Sequence, residues 1–459
     1  MTNYEGGAPA RSRVWQPVLM TEQQSTVPTS TAQRAGFATR QLHAGERPDS
    51  GITPRVTPIY LTAGFVLDDF DQAVDLFDSG DGYSYTRVAN PTTATVEQKI
   101  ADLEGGVEAL LVGSGQAAVA ITLLGLLESG QHIVSANQIY EGTRGLFLDN
   151  LSRYGIETEF VDDANNPEAW ERLIRPTTRA LFAESIPNPR NEVFDIEAIA
   201  AVAKAHGIPL IIDSTLATPY LVRPLEHGAD IVIHSASKFF AGHGAVLGGV
   251  IVDNGRFDVT STLFPQLTNP TRTGGPSFAQ RRGGSARIAY LREVMALRFG
   301  PTLSPLNAFL IGQGIETLSL RVERQSANAL GVATWLERQP EVLSVDYSGL
   351  ESNPFHELAA KYLPGGQGSV FAFTLAGGIE AARVFINALE VVTHMTHLGD
   401  VRSLALHLST TSHNQRSTEQ LESAGILPGS IRLSIGIEDL PDLIADLDRA
   451  LAAVRTLAS

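Results

Sequence analysis

Cysteine occurs nowhere among the 459 residues. Its absence excludes disulfides, thiolate-ligated metals and a cysteine nucleophile, and it fits a cytoplasmic protein. Long apolar runs are missing too. None approaches the roughly 20 residues that cross a bilayer, so no membrane partner is expected. Positive charge is scarce: 34 Lys and Arg stand against 50 Asp and Glu, a net charge of −16. A nucleic-acid binder needs a basic surface, so that class is disfavoured. The first stretch, 1–35, lacks apolar periodicity and the apolar core of a secretory signal. It is rich in Thr, Gln, Ser, Pro and Gly and is expected to be a disordered extension.

What remains is ordinary for a globular chain, with 43% hydrophobic and 18% charged residues, and it is long enough for a large core and more than one domain. From 108 to 252 strand-like and helix-like stretches alternate. Strand candidates fall at 109–112, 132–135, 157–161, 179–183, 209–212, 230–233 and 247–252. Over 195–206, Ile196, Ile199, Ala200 and Ala203 follow a helical stripe that Gly207 closes. Such alternation predicts an α/β fold: a mostly parallel sheet with helices on both faces and ligands beyond the carboxyl ends of its strands. Before it, 36–107 is rich in turn residues and reads as an extended lead-in, with an arm over 36–85 and the α/β domain over 86–295. Residues 281–324 look helical with a break at Gly300-Pro301. Strands at 369–375 and 430–434, mixed with helices, predict a smaller α+β domain over 296–459. No internal repeat is present.

Two strand ends carry the chemistry. Pro209-Leu210-Ile211-Ile212 ends on Asp213, and Asp230-Ile231-Val232-Ile233 runs into His234-Ser235-Ala236-Ser237-Lys238. An amine, a carboxylate and nearby hydroxyls at successive strand ends are what pyridoxal phosphate requires. The amine forms the Schiff base, the carboxylate pairs with the pyridinium nitrogen, and the hydroxyls help hold the phosphate. Gly113-Ser114-Gly115-Gln116-Ala117-Ala118 follows a strand and opens an apolar helix, whose N-terminus suits a phosphate. The same string fits the dinucleotide pattern G-x-G-x-x-A. A nucleotide site would want an acid at the end of the next strand, where Ser135-Ala136-Asn137-Gln138 stands instead, so the nicotinamide reading is disfavoured.

Other residues admit two readings each. Tyr140 is a ring that could stack on a pyridine, or a half-buried structural tyrosine. Tyr85 with Arg87 is a phosphate clamp or an ordinary surface pair. Asn188, in Ile186-Pro187-Asn188-Pro189, is a donor to the cofactor's 3′-oxygen or a turn residue. Arg432, in Ser430-Ile431-Arg432-Leu433-Ser434, is a carboxylate fork or half of a surface ion pair. His394 and His397 with Asp400 lack both a helix signal and an H-E-x-x-H pattern, so no metal is expected.

From about Phe37 to the C-terminus the chain resembles the Cys/Met-metabolism pyridoxal-phosphate enzymes. The matching stretches include Gln41-Leu42-His43-Ala44-Gly45, Tyr85-Thr86-Arg87 with Asn90-Pro91-Thr92, Leu103-Glu104-Gly105-Gly106 and His234-Ser235-Ala236-Ser237-Lys238. Arg432-Leu433-Ser434-Ile435-Gly436-Ile437-Glu438 belongs with them. Ser304-Pro305-Leu306-Asn307-Ala308-Phe309 and Gly399-Asp400-Val401-Arg402-Ser403-Leu404 look like the O-acetylhomoserine sulfhydrylase (O-acetylhomoserine aminocarboxypropyltransferase) branch.

The resemblance implies fold type I, aspartate-aminotransferase-like, and γ-replacement on O-acetyl-L-homoserine by sulfide or a thiol. Cystathionine γ-synthase or a γ-lyase is the alternative. It implies Lys238 as Schiff-base lysine, Asp213 as pyridinium partner, Tyr140 stacked and assisting, and Asn188 at the 3′-oxygen. Gly115, Gln116, Ser235 and Ser237 would hold the phosphate, and Arg432 the substrate carboxylate. Tyr85 and Arg87 would reach a neighbouring subunit's phosphate within a homotetramer, a dimer of dimers. Three departures stand out. His397 replaces the Asn or Ser usual near the substrate. Leu408 interrupts a His-Pro-Ala-Ser-Thr-Thr-His pattern. Gly142 stands where methionine γ-lyases usually carry cysteine.

Overall fold

The computed structural model describes residues 35–45, 54–79 and 82–457. The extension expected over 1–35 lies, but for its last residue, outside the described residues.

Seven strands build the main sheet: β1 (Glu108–Val112), β2 (His132–Ala136), β3 (Glu157–Val161), β4 (Thr178–Glu184), β5 (Leu210–Asp213), β6 (Ile231–His234) and β7 (Gly249–Asp253), in the order β1-β7-β6-β5-β4-β2-β3. β3, β2, β4, β5 and β6 run parallel. β7 is antiparallel to both β6 and β1. The reversal has a local cause. A parallel neighbour needs a crossover, usually helical, whereas 235–248 returns from β6 to β7 without a helix. That return carries Lys238. The inner strands are mostly apolar between polar ends, as a sheet covered on both faces requires. Ile211, Ile212, Val232 and Ile233 are buried completely.

The lead-in is less extended than its turn residues imply. Helix Pro91–Glu104 lies within it and buries Val96, Ile100 and Leu103. The Asn90 side chain accepts the Thr92 N–H at 3.0 Å, Pro91 opens the helix, and Gly105 ends it at φ +76°. Asn-Pro is turn chemistry, but it is also how a helix starts: a capping acceptor, then a residue that needs no N–H donor.

A second sheet follows: β8 (Val342–Asp346), β9 (Val370–Leu375), β10 (Thr393–His394), β11 (Leu404–His407) and β12 (Ser430–Ser434), in the order β10-β11-β12-β9-β8. It has its own core, with Phe371, Phe373, Phe385 and Leu447 at its centre. Among the described residues no helix is long and apolar enough to cross a membrane.

Candidate active site

The carboxyl ends of β4, β5 and β6 deliver Glu184, Asp213 and the Ser235–Lys238 turn side by side. Asp213 accepts from the Thr215 N–H at 3.0 Å and the Thr215 hydroxyl at 2.5 Å. The same hydroxyl accepts the Ser235 N–H at 2.8 Å, so Thr215 links the acid to the serine turn. Burial raises the Asp213 pKa. Beneath the turn, His234 meets Glu104 at 2.5 Å with both side chains buried.

Helix Gly115–Leu126 aims its N-terminus at the turn. Ser114 caps it by accepting the Ala117 N–H at 3.1 Å. Gly115 is required by close approach: a Cβ there would lie 2.8 Å from Ser235 Cβ. The Gln116 side chain is committed elsewhere, donating to Gly142 O and accepting from Thr143, which leaves its backbone N–H for an anion. Ser237 accepts from the Gly248 N–H at 3.0 Å and donates to Gly248 O at 3.2 Å.

Lys238 Nζ lies 3.2 Å from His397 Nδ1. Burial, then the nearby Arg432 charge, brings the lysine pKa down to about 8. Burial, then Lys238, holds His397 down at about 4, so the imidazole is neutral and accepts from the amine. Arg432 donates to Thr396 O at 2.9 Å, to His397 O at 3.1 Å and to Asn188 Oδ1 at 3.4 Å. It is 4% exposed and makes no ion pair among the described residues. Burial lowers its pKa to about 10. A buried guanidinium held only by neutral oxygens is a receptor waiting for an anion.

Tyr140 is half exposed above the strand ends, and its N–H donates to Glu184 at 2.5 Å. A Cβ at Gly142 would fall 2.5 Å from the Tyr140 ring, so this ring position excludes any larger residue there. Tyr85 and Arg87 stand apart from the cluster. They pair with each other, the guanidinium 5.3 Å above the ring, and Arg87 donates to Leu297 O. His394 is exposed on β10, while only His397 of that pair turns toward Lys238.

One helix unites the loops. Helix Leu318–Leu336 presents Arg321, Gln325 and Asn328, all buried. Arg321 donates to Phe239 O at 2.8 Å, Gln325 to Asp400 O at 2.8 Å, and Asn328 to Gly436 O at 3.1 Å. Backbone bonds complete the set: Gly242 N–H to Lys238 O, Val401 N–H to Gly242 O and Ile437 N–H to Val401 O, at 2.7–2.9 Å. Gly242 is at φ +70°, and a Cβ there would lie 2.3 Å from Arg321.

These features fit pyridoxal phosphate. The Gly115 cradle faces the serine turn, a buried acid ends one strand, and a lysine with a depressed pKa follows the next. Fold and site thus define a pyridoxal-phosphate-dependent enzyme of fold type I. More narrowly, the chain belongs to the Cys/Met metabolism PLP-dependent enzymes, whose family model matches residues 38–452. It is 41% identical to an O-acetyl-L-homoserine sulfhydrylase of Corynebacterium glutamicum over 93% of this chain and 99% of that one. It is 42% identical to a homocysteine synthase of Schizosaccharomyces pombe over 90% and 98%. A Campylobacter jejuni O-acetylhomoserine (thiol)-lyase, whose crystal structure holds a pyridoxyl-lysine-monophosphate residue, superposes with a TM-score of 0.87 at 34% identity, covering 91% of this chain and all of that one.

Glu184, Thr215, Arg321 and Gln325 were not among the residues singled out from sequence. Glu184 ends a strand as Asp213 does, and that signal alone could have marked it.

Proposed function

We propose that the chain catalyses γ-replacement on O-acetyl-L-homoserine with sulfide or a thiol, giving L-homocysteine or methionine and acetate. One observation carries the reading: an amine and an unpaired guanidinium meet at a single residue, Lys238 at the His397 ring and Arg432 at the His397 carbonyl. That arrangement suits an amino acid held by its carboxylate with Cα beside a base.

Bound pyridoxal phosphate supplies the electron sink for charge developing at Cα. Arg432 grips the α-carboxylate, its fork fixed by the Thr396, His397 and Asn188 oxygens. Lys238, uncharged above about pH 8, takes the proton from Cα and then one from Cβ. His397 steers the amine by accepting its N–H. As acetate leaves Cγ and sulfur adds there, Lys238 returns the protons, with Tyr140 assisting. Asp213 holds the pyridine nitrogen, Asn188 the 3′-oxygen, and Gly115, Gln116, Ser235 and Ser237 the phosphate. Because Ser237 already serves Gly248, Ser235 and the helix N–H groups carry more of that load.

Tyr85 and Arg87 reach the phosphate of a second subunit in a homotetramer. Helix Phe70–Ser79 supports that assembly: it buries none of its residues within this chain, and Phe70 and Phe77 stay 81% and 74% exposed. A short helix with an uncovered apolar face has little stability of its own. We place the enzyme in the cytoplasm.

The test is incubation with pyridoxal phosphate, O-acetyl-L-homoserine and sulfide, with product identification. Homocysteine and acetate are expected. Ammonia with 2-oxobutyrate would make it a γ-lyase instead. A visible cofactor band without turnover would mean that His397 has moved the enzyme to another amino acid.

A further inference from the structure

Glu184 closes β4 at the edge of the site and has no role in the mechanism above. It lies in register beside Asp213 on the parallel neighbour β5, so the two carboxyls face the same side at adjacent strand ends. It accepts the Tyr140 N–H at 2.5 Å, and the Asn188 N–H also bonds it. One side chain therefore holds the backbone of the ring-stacking residue and of the 3′-oxygen donor, and flanks the partner of the pyridine nitrogen.

Those N–H groups do not need an acid. An amide or a hydroxyl would accept them without the cost of burying a second carboxyl next to Asp213. Glu184 is 6% exposed, and burial together with the Asp213 charge pushes its pKa well up. It also borders a cavity of about 250 Å³ that takes in Asp162, Asp163 and Glu192. The charge that acts on Glu184 itself is that of Asp213. Arg190 is paired with Glu192, and His234 acts on Asp213.

Resting on the reading of Asp213 as the pyridine-nitrogen partner, we propose that Glu184 is a positioning residue. It is an uncharged carboxyl that mounts Tyr140 and leaves Asp213 as the one negative charge beneath the cofactor. Two adjacent buried carboxylates do not both ionise. A proton kept on Glu184 lets Asp213 stay charged opposite a pyridinium.

The test uses the full chain loaded with pyridoxal phosphate. Visible absorbance and circular dichroism of the bound cofactor are recorded from about pH 6 to 10, with cofactor dissociation constants, for wild type, Glu184→Gln and Glu184→Ala. The Gln variant keeps an uncharged acceptor of the same length, so the pH midpoint of its visible band should stay within about half a unit of wild type. The Ala variant removes the mount. Its dichroism should fall by about half, cofactor binding should weaken about tenfold, and kcat should drop while KM for the amino acid moves less than about twofold. A Gln midpoint displaced by about a full unit would mean that Glu184 carries charge, and would overturn the proposal. So would an Ala variant with wild-type dichroism and cofactor affinity. A wild-type protein with no visible band would instead remove the reading on which the proposal rests.

Discussion

Below about pH 8 the Lys238 amine holds a proton and has no lone pair to offer; above it the amine is free. Uptake of pyridoxal phosphate by cofactor-free protein should therefore quicken as pH rises through that value and level off about one unit higher. Stopped-flow absorbance checks this, and a rate flat across the window would contradict a perturbed lysine. Lys238→Ala should lose the Schiff-base absorbance and at least about 10³-fold in turnover. If both persisted, another amine would have to be the reacting group. Lys238 and Asp213 can be found in the sequence because each follows an apolar, strand-like run. Glu184 obeys the same rule, but its partners are backbone N–H groups, which carry no residue signature. Thr215 is hidden for the same reason, since half its role is to accept from the Ser235 backbone.

At the scale of elements, helix Leu318–Leu336 was the least legible. Arg321, Gln325 and Asn328 recur at helical spacing, and such a polar stripe normally marks a solvated face. Here it is buried against three loops, and only the tertiary structure reveals that each side chain answers a backbone carbonyl. Gln325→Leu keeps the bulk but leaves Asp400 O without its donor, a cost of about 1–3 kcal/mol for a buried acceptor. We expect a melting point lower by several degrees and a higher KM for the amino acid, because Asp400 follows His397 in the same loop. Unchanged KM alongside a lowered melting point would confine the helix to a structural task. The main-sheet strands, β9 and β12 are legible as apolar runs, whereas β8, β10 and β11 are not: β8 is largely uncovered, β10 has two residues and β11 only four. The reversal of β7 could not be read, since direction depends on how 235–248 travels. Helix Pro91–Glu104 was missed because its start uses the same residues as a turn.

For the whole molecule, acid is the revealing stress. His413 is buried, and burial followed by the Arg416 charge holds its pKa at about 4 against an ordinary 6.5. The unfolded chain binds the proton first as pH falls. The stability tied to neutral His413 is therefore full above 6.5 and is lost on the way down to about 4. This amounts to on the order of 3 kcal/mol. Buried carboxyls with raised pKa values act in the opposite sense, so the comparison must be between wild type and His413→Gln. Urea unfolding at several pH values should show a shallower acid loss in the variant, and identical slopes would exclude His413 as a cause. The bonds that tie Gly242, Val401 and Ile437 into one chain have a kinetic consequence. The lysine turn, the His397 loop and the arginine strand cannot flap independently. Their amides should exchange with solvent at a common rate, as one cooperative unit. Substrate would then enter through concerted breathing of the whole wall rather than through a moving lid.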